Sequence, residues 1–391
     1  MTRRSVGRAL VTSALTLGLG CGEQPDDVEM TSSAAVTTVT SAVRGYTRPG
    51  NQQSIVYRDQ CCQIKQHRGT PPGLPFNLGG SASAGASPWG YKRSDNADAV
   101  LFVDENRNVT EIIVPSSGPV TVTNFALYGA PAADLDTPNL PDVIGYVRSD
   151  NRSAVVYRSG GEIIEILSNF GQTPKWQVSS LTARSGTAMR VGKGSAFPYV
   201  RTDGVNDIIY VGTDNHIREM WKQGSAEWAE GDLSVAVGDV SAAASSPWGY
   251  QRSDGYNAVV FVDTAGYLRE FALKPGSPCT PTFSWCAGPL PANGASQAFR
   301  PSGYARGDGI NTVVYRTETN KIRELALVSG AWQDSQFVLP ANVEADSEPF
   351  GVRPPVGLGS VLFKGKNLVN GNVQAVQLYL PNSSGWTQTV L

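Results

Sequence analysis

"SPWGYQRSDGYNAVVFVDTAGYLREF" spans Ser246–Phe271, and "SPWGYKRSDNADAVLFVDENRNVTEI" spans Ser87–Ile112. Two near-copies of one phrase point to a tandem repeat. Aligning on an aromatic-x-Arg or Gly-x-Arg step extends the pair to seven copies. Their anchors are Arg48, Arg93, Arg148, Arg201, Arg252, Arg306 and Arg353, at intervals of 45 to 55 residues. Nine residues after each of the first six anchors an aromatic closes an apolar run: Tyr57, Phe102, Tyr157, Tyr210, Phe261 and Tyr315. In the seventh copy Phe363 comes one residue later. Five copies then place a Glu in an I-x-E-type step, at Glu111, Glu165, Glu219, Glu270 and Glu324. A Trp follows a Gly-bearing turn at Trp176, Trp228, Trp285, Trp332 and Trp386.

Each unit reads as four short strands separated by turn signals such as "SDG", "DTAG" and "GTDN". The second strand is a continuous apolar run rather than an alternating one, as expected of a strand covered on both faces. Four strands per unit at this period predict propeller blades, since one blade alone leaves both faces bare and a closed ring covers them. The expected fold is all-β, a seven-bladed β-propeller of four-stranded antiparallel blades over residues 44–391. Because the last copy ends in its own fourth-strand segment, "GWTQTVL", the ring is expected to close between whole blades.

The first residues read as a targeting signal. Arg3, Arg4 and Arg8 precede the apolar run "ALVTSALTLGLG", which is too short to span a bilayer as a helix. The run ends at Cys21, so residues 1–21 resemble a bacterial lipoprotein signal with Cys21 as the lipidated residue, or a plain secretion signal. Residues 22–43 lack large apolar side chains and read as a flexible tether. The expected location is exported, in the cell envelope through a lipid anchor at Cys21, or secreted. Gly22 lacks the Asp that retains such proteins at the inner membrane, which favours the outer membrane. In an oxidising compartment Cys279 and Cys286, in "CTPTFSWC", are expected to form a disulfide. The adjacent Cys61 and Cys62 leave two readings open, a strained vicinal disulfide or two thiols.

The repeated polar residues are the candidate site. Copies 2 to 6 share Arg93 with Asp95, Arg148 with Asp150, Arg201 with Asp203, Arg252 with Asp254, and Arg306 with Asp308, and the same five carry the Glu. The end copies read "RPG" and "RPP", with Gln66 and Ala375 where the Glu is expected. One reading is architectural: Asp caps a turn, Arg pairs with a carboxylate, and Glu takes backbone donors. The other is a ligand site used five times, with Arg and Glu for sugar hydroxyls and Trp89, Trp176, Trp228, Trp248 and Trp332 as stacking surfaces.

The phrase "RGDGINTVVYRTETNKIREL", Arg306–Leu325, resembles the repeats of bacterial seven-bladed propeller lectins and, more distantly, those of fungal fucose-specific propeller lectins. The resemblance covers most of residues 44–391. It implies weak sugar sites between blades, for fucose-like or methylated sugars. The fungal lectins use an Arg twelve residues before the Glu; here those positions hold Ala99, Ser153, Asp207, Ala258 and Thr312. Only the Glu carries over.

Other chemistry finds little support. The 32 basic and 34 acidic residues show no basic excess for a nucleic acid. The two histidines lack zinc spacing, and there is no G-x-S-x-G elbow or P-loop, so no metal, cofactor or catalytic residue is expected. Asp134–Asp142 has the acidity of a calcium loop without its Gly or closing Glu. The expected activity is multivalent carbohydrate binding without catalysis. The alternatives are a protein-binding scaffold using loops such as Pro131–Asp142 or Ser277–Cys286, and a glycan-active hydrolase or lyase with paired carboxylates at the axis.

Overall fold

In the computed structural model the described residues are 38–391, except 70–71, 85, 116–118, 136–141, 170, 172, 174, 183–189, 278, 280–283 and 293. Cys21 and most of the tether fall outside them. The described residues form seven antiparallel sheets, each built from strands consecutive in the chain. Helix is limited to single turns at Phe125–Tyr128 and Leu233–Ala236. None is long and apolar enough to cross a membrane.

Blade 1 is Arg44–Arg48, Gln52–Arg58, Ile64–Arg68 and Phe76–Gly79. Blade 5, from the opening phrase, is Trp248–Gln251, Asn257–Val262, Leu268–Leu273 and Trp285–Pro289. The second strands are the core of every blade. Asp98–Val103, Asn206–Gly212 and Asn257–Val262 are buried along their whole length, their apolar runs together with the polar residues that open them. The turns after them begin with Asp59, Asp104 or Asp263, whose carboxylates accept two backbone N–H groups each.

The ring is held by an aromatic-on-glycine interlock between first strands. The rings of Tyr46, Tyr91, Tyr199, Tyr250 and Tyr304 lie on Gly90, Gly145, Gly249, Gly303 and Gly351 of the following blade. A Cβ at any of these glycines would come closer than 3.0 Å to the ring. Trp89 and Trp248 add a second link at the axis, donating their indole N–H groups to the carbonyls of Gly145 and Gly303, at 3.2 and 2.8 Å.

Closure occurs between whole blades, as expected. Val39 N–H donates to the Val373 carbonyl at 3.0 Å and Gln377 donates to Gln53 at 3.3 Å, joining blade 7 to blade 1. Blade 7 also corrects the repeat alignment. Phe350, Gly351 and Val352 pair with Leu362, Val361 and Ser360, as Trp89, Gly90 and Tyr91 pair with Leu101, Val100 and Ala99. Arg353 therefore stands at the place of Lys92, and Pro354 takes the anchor position. Likewise Leu362 pairs with Gln377 as Leu101 pairs with Glu111, so Gln377 rather than Ala375 replaces the Glu. The extra residue before Phe363 was the sign of this shift.

Cys279 and Cys286 are disulfide-bonded, with Cα atoms 5.3 Å apart. Cys61 and Cys62 are half-buried and not joined to each other.

If the interlock carries the ring, Gly249→Ala will force the Tyr199 ring aside and cost about 1–3 kcal/mol, the usual penalty of overpacking. Urea denaturation will show a lower midpoint, partly restored by adding Tyr199→Leu.

Candidate ligand clefts between the blades

The predicted polar residues converge, five times, at the contact between one blade and the next. In blade 2 the first strand ends at Lys92, and Arg93 turns back over the sheet. Its guanidinium meets Asp95 at 2.7 Å and Glu111 at 2.7 Å. Tyr91 donates its hydroxyl to the other Glu111 oxygen at 2.6 Å. From blade 3, the Trp176 ring lies 5.4 Å from the Arg93 guanidinium. The same offset places Arg148 by Trp228, Arg201 by Trp285 and Arg252 by Trp332, at 5.8, 6.0 and 5.8 Å. Arg306 and Trp386 both pack on Gly359. Arg, Asp and Glu thus come from one blade and Trp from its successor, which explains why these residues travel together.

The architectural roles are also filled. Asp150, Asp203, Asp254 and Asp308 each pair with the Arg two residues before, at 3.1, 2.7, 2.5 and 2.5 Å. Arg148, Arg252 and Arg306 reach Glu165, Glu270 and Glu324 at 3.3, 3.1 and 3.7 Å. Backbone N–H groups of the turns are received by the next blade: Ser94, Ser149, Thr202 and Ser253 donate to Ser153, Asn206, Asn257 and Asn311.

The five interfaces are not equally open. Between blades 2 and 3, Arg93, Glu111 and Trp176 are 2%, 0% and 2% exposed, so the set is sealed. Between blades 3 and 4, Trp228 is half-buried. A cleft of about 840 Å³ opens there, lined by Arg148, Asp150, Glu165, Lys222, Glu227 and Trp228 among others. Trp332 and Trp386 are also half-buried, between blades 5 and 6 and between blades 6 and 7.

The interface of blades 4 and 5 is chemically distinct, because Asp207 adds a second carboxylate at the position where fungal lectins place Arg. Both Asp207 oxygens and Glu219 Oε2 are buried without hydrogen-bond partners. Burial pushes Asp207 up to about 7 against the pull of Arg201. Burial, and then the charge of Asp207, hold Glu219 well above the usual carboxylate range. Between blades 6 and 7, burial likewise lifts Glu324 to about 7 against Arg306.

The interface of blades 1 and 2 uses amide chemistry instead. Gln66 donates to Tyr46 at 2.7 Å, and Tyr46 donates to Asp98 of blade 2 at 2.6 Å, which also holds Arg48 at 2.9 Å. Blade 2's fourth strand, Thr121–Asn124, carries no Trp to cover them.

Trp89 and Trp248 are placed elsewhere than the sequence suggested. They lie at the axis, where they pack with Phe197 and Phe350 at ring distances of 4.3 to 6.2 Å. Trp285 and Trp386 occupy the clefts in their stead. Their shared place in the fourth-strand segment was the available signal. Two axial carboxylates do exist, Asp142 and Glu348, held by Arg300 and Arg44 at 2.6 Å each. Burial would raise Glu348, but the charges of Arg44 and Arg300 overcome it and hold the group at about 2. A cavity of about 160 Å³ adjoins this cluster. In the acidic loop, Asp134 is bound to Arg158 at 2.7 Å and to the Gly160 and Gly161 N–H groups. Among the described residues Asp214, His216 and Asp232 have metal-ligand spacing, but Arg218 already pairs with both carboxylates.

No family model matches the chain, and no curated protein matches its sequence. Solved structures do match. The BP39L lectin of Burkholderia pseudomallei superposes with a TM-score of 0.66 at 12% identity, over 90% of this chain and 99% of that one. AofleA of Arthrobotrys oligospora gives 0.51 at 14% identity, over 78% and 88%. A fucose-specific lectin of Aleuria aurantia gives 0.50 at 16% identity, over 78% and 99%. The chain has the fold of these propeller lectins. The resemblance read from the repeats is thus met in three dimensions.

Asp207 supplies a pH test. The folded protein holds its proton more tightly than the unfolded chain, whose Asp titrates near 3.8. Asp207 therefore costs no stability below about pH 4 and an increasing amount up to about pH 7. Asp207→Asn will stabilise the protein at pH 8 by on the order of a few kcal/mol, and hardly at all at pH 4. Thermal unfolding at the two pH values measures the difference.

Proposed function

We infer that this protein is a multivalent, non-enzymatic glycan-binding propeller, with its principal site in the cleft between blades 3 and 4. The observation that carries the reading is the placement of a buried guanidinium–carboxylate pair, Arg148 and Glu165, in the lining of an open cleft that also carries the half-buried Trp228. A pyranose presents hydroxyls on its edges and an apolar face of C–H groups. Charged bidentate partners suit the first, and an indole suits the second. Repetition of the set at other interfaces favours many weak contacts on one ring, which raise apparent affinity for a glycan-covered surface by ~10²–10⁴. The solved lectins of the same fold support carbohydrate as the ligand class, and the Aleuria protein, described as fucose-specific, makes fucose-like sugars the first to try.

A glycosidase reading is less well supported. The axial carboxylates Asp142 and Glu348 are both engaged by arginines, and Glu348, held at about 2, has no proton to give a leaving group near neutrality.

A glycan array probed with labelled protein, with free-sugar competition, tests the reading. Selective, competable binding to one terminal sugar is expected. Trp228→Ala is expected to weaken it about three- to tenfold by loss of stacking, with circular dichroism verifying that the variant stays folded. A folded protein that binds no glycan would leave the scaffold as the better account.

The signal-like segment ending at Cys21 supports placement at the cell envelope by a lipid anchor. Cys21→Ser is expected to move the protein from the membrane fraction to the soluble one. Unchanged fractionation would remove the anchor from the account.

A further inference from the structure

The seven first strands enclose a second feature that the interblade clefts do not use. A funnel of about 590 Å³ opens along the axis, lined by side chains and backbone from every blade. Its lining includes the four rings Trp89, Phe197, Trp248 and Phe350, packed edge to face and tilted against one another. The first-strand tyrosines and small apolar residues such as Val147, Val200 and Ala305 contribute the rest. Among the described residues no Asp or Glu lines it. Its two charged residues, Lys92 and Arg353, are both cationic and exposed. Arg353 is there because of the one-residue shift in blade 7, which moves a guanidinium from an interblade position to the position of Lys92.

We propose that this axial funnel binds a flat, aromatic, anionic small molecule, one per chain, independently of any glycan. The rings at its floor, 5 to 8% exposed, offer an apolar contact to the face of a planar group. An open depression of this size with mainly apolar walls and a few polar groups can seat one face of a small planar molecule. Lys92 and Arg353 supply attraction for a negative substituent and place no carboxylate opposite it. The polar cluster of Arg44, Asp142, Arg300 and Glu348 does not line the funnel. Arg300 stacks on Phe197 and Trp248 at 5.5 and 5.0 Å and Arg44 on Trp89 and Phe350 at 5.8 and 5.5 Å, which fixes the rings in place.

The probes are anilinonaphthalene sulfonate and its uncharged analogue N-phenylnaphthylamine, titrated into the full chain with fluorescence and calorimetric readout. One saturable sulfonate site per chain is expected. Lys92→Glu with Arg353→Glu is expected to weaken the sulfonate about tenfold or more and leave the uncharged analogue within about twofold, since both side chains are exposed and remote from the core. Ala305→Trp, which fills the funnel wall, is expected to remove both probes. Circular dichroism and thermal unfolding verify that each variant is folded. Non-saturable binding, several equal sites, or a single site that neither variant alters would overturn the proposal. None of these outcomes bears on the interblade clefts, because no residue changed belongs to them.

Discussion

The ring depends on the fit of one blade's tyrosine onto the next blade's glycine. A four-stranded sheet whose second strand is apolar on both faces has two faces to hide, and only flanking sheets can hide both. Near the axis those sheets converge, and a side chain on each facing strand would not fit. Glycine removes one of the pair, and the tyrosine ring fills the space. In blade 4 Pro198 takes the glycine's place, and the preceding Tyr146 is only half-buried.

The same tyrosines explain why a carboxylate is found at the interface at all. Tyr91 and Tyr250 reach past the glycine and donate to Glu111 and Glu270. The glutamate is buried by the blade that follows and needs a cation, which the anchor arginine supplies from the turn. Where glutamate and tryptophan are missing, between blades 1 and 2, the tyrosine and the anchor Arg48 persist and a glutamine–aspartate arrangement receives them. The polar set is therefore an elaboration on a packing contact.

Much of this was legible in the sequence, because apolar periodicity, turn residues and blade count are local properties repeated seven times. The offset between Arg93 and Trp176 was not, since the partners sit in adjacent blades and the repeat unit can be cut at any point around a ring. Blade 7 misled for a definite reason. An arginine occupies the position beside the anchor, and only the strand pairing of Phe350 with Leu362 reveals that the anchor itself is Pro354. Trp89 and Trp248 were read with the other tryptophans as stacking surfaces. Their place on the first strand, directly before the interlocking glycine, assigns them to the axis instead.

The sealed and open interfaces show how one residue set serves two ends. Arg93 with Glu111 and Arg148 with Glu165 are the same pair in the same place, both with little contact with solvent. What differs is the tryptophan. Trp176 lies over the first pair and packs against Phe125 at 5.0 Å, a ring supplied by the turn that follows blade 2's fourth strand. Trp228 is half-buried and lines a cleft together with Lys222, Glu227 and Glu230. A buried, hydrogen-bonded charge pair in the lining of a cleft is already held in position by its neighbours. Such a group meets a ligand's hydroxyls without first losing side-chain entropy. A repeat protein can thus acquire a binding site by loosening one contact in a structural interface, while the other copies go on holding the ring together.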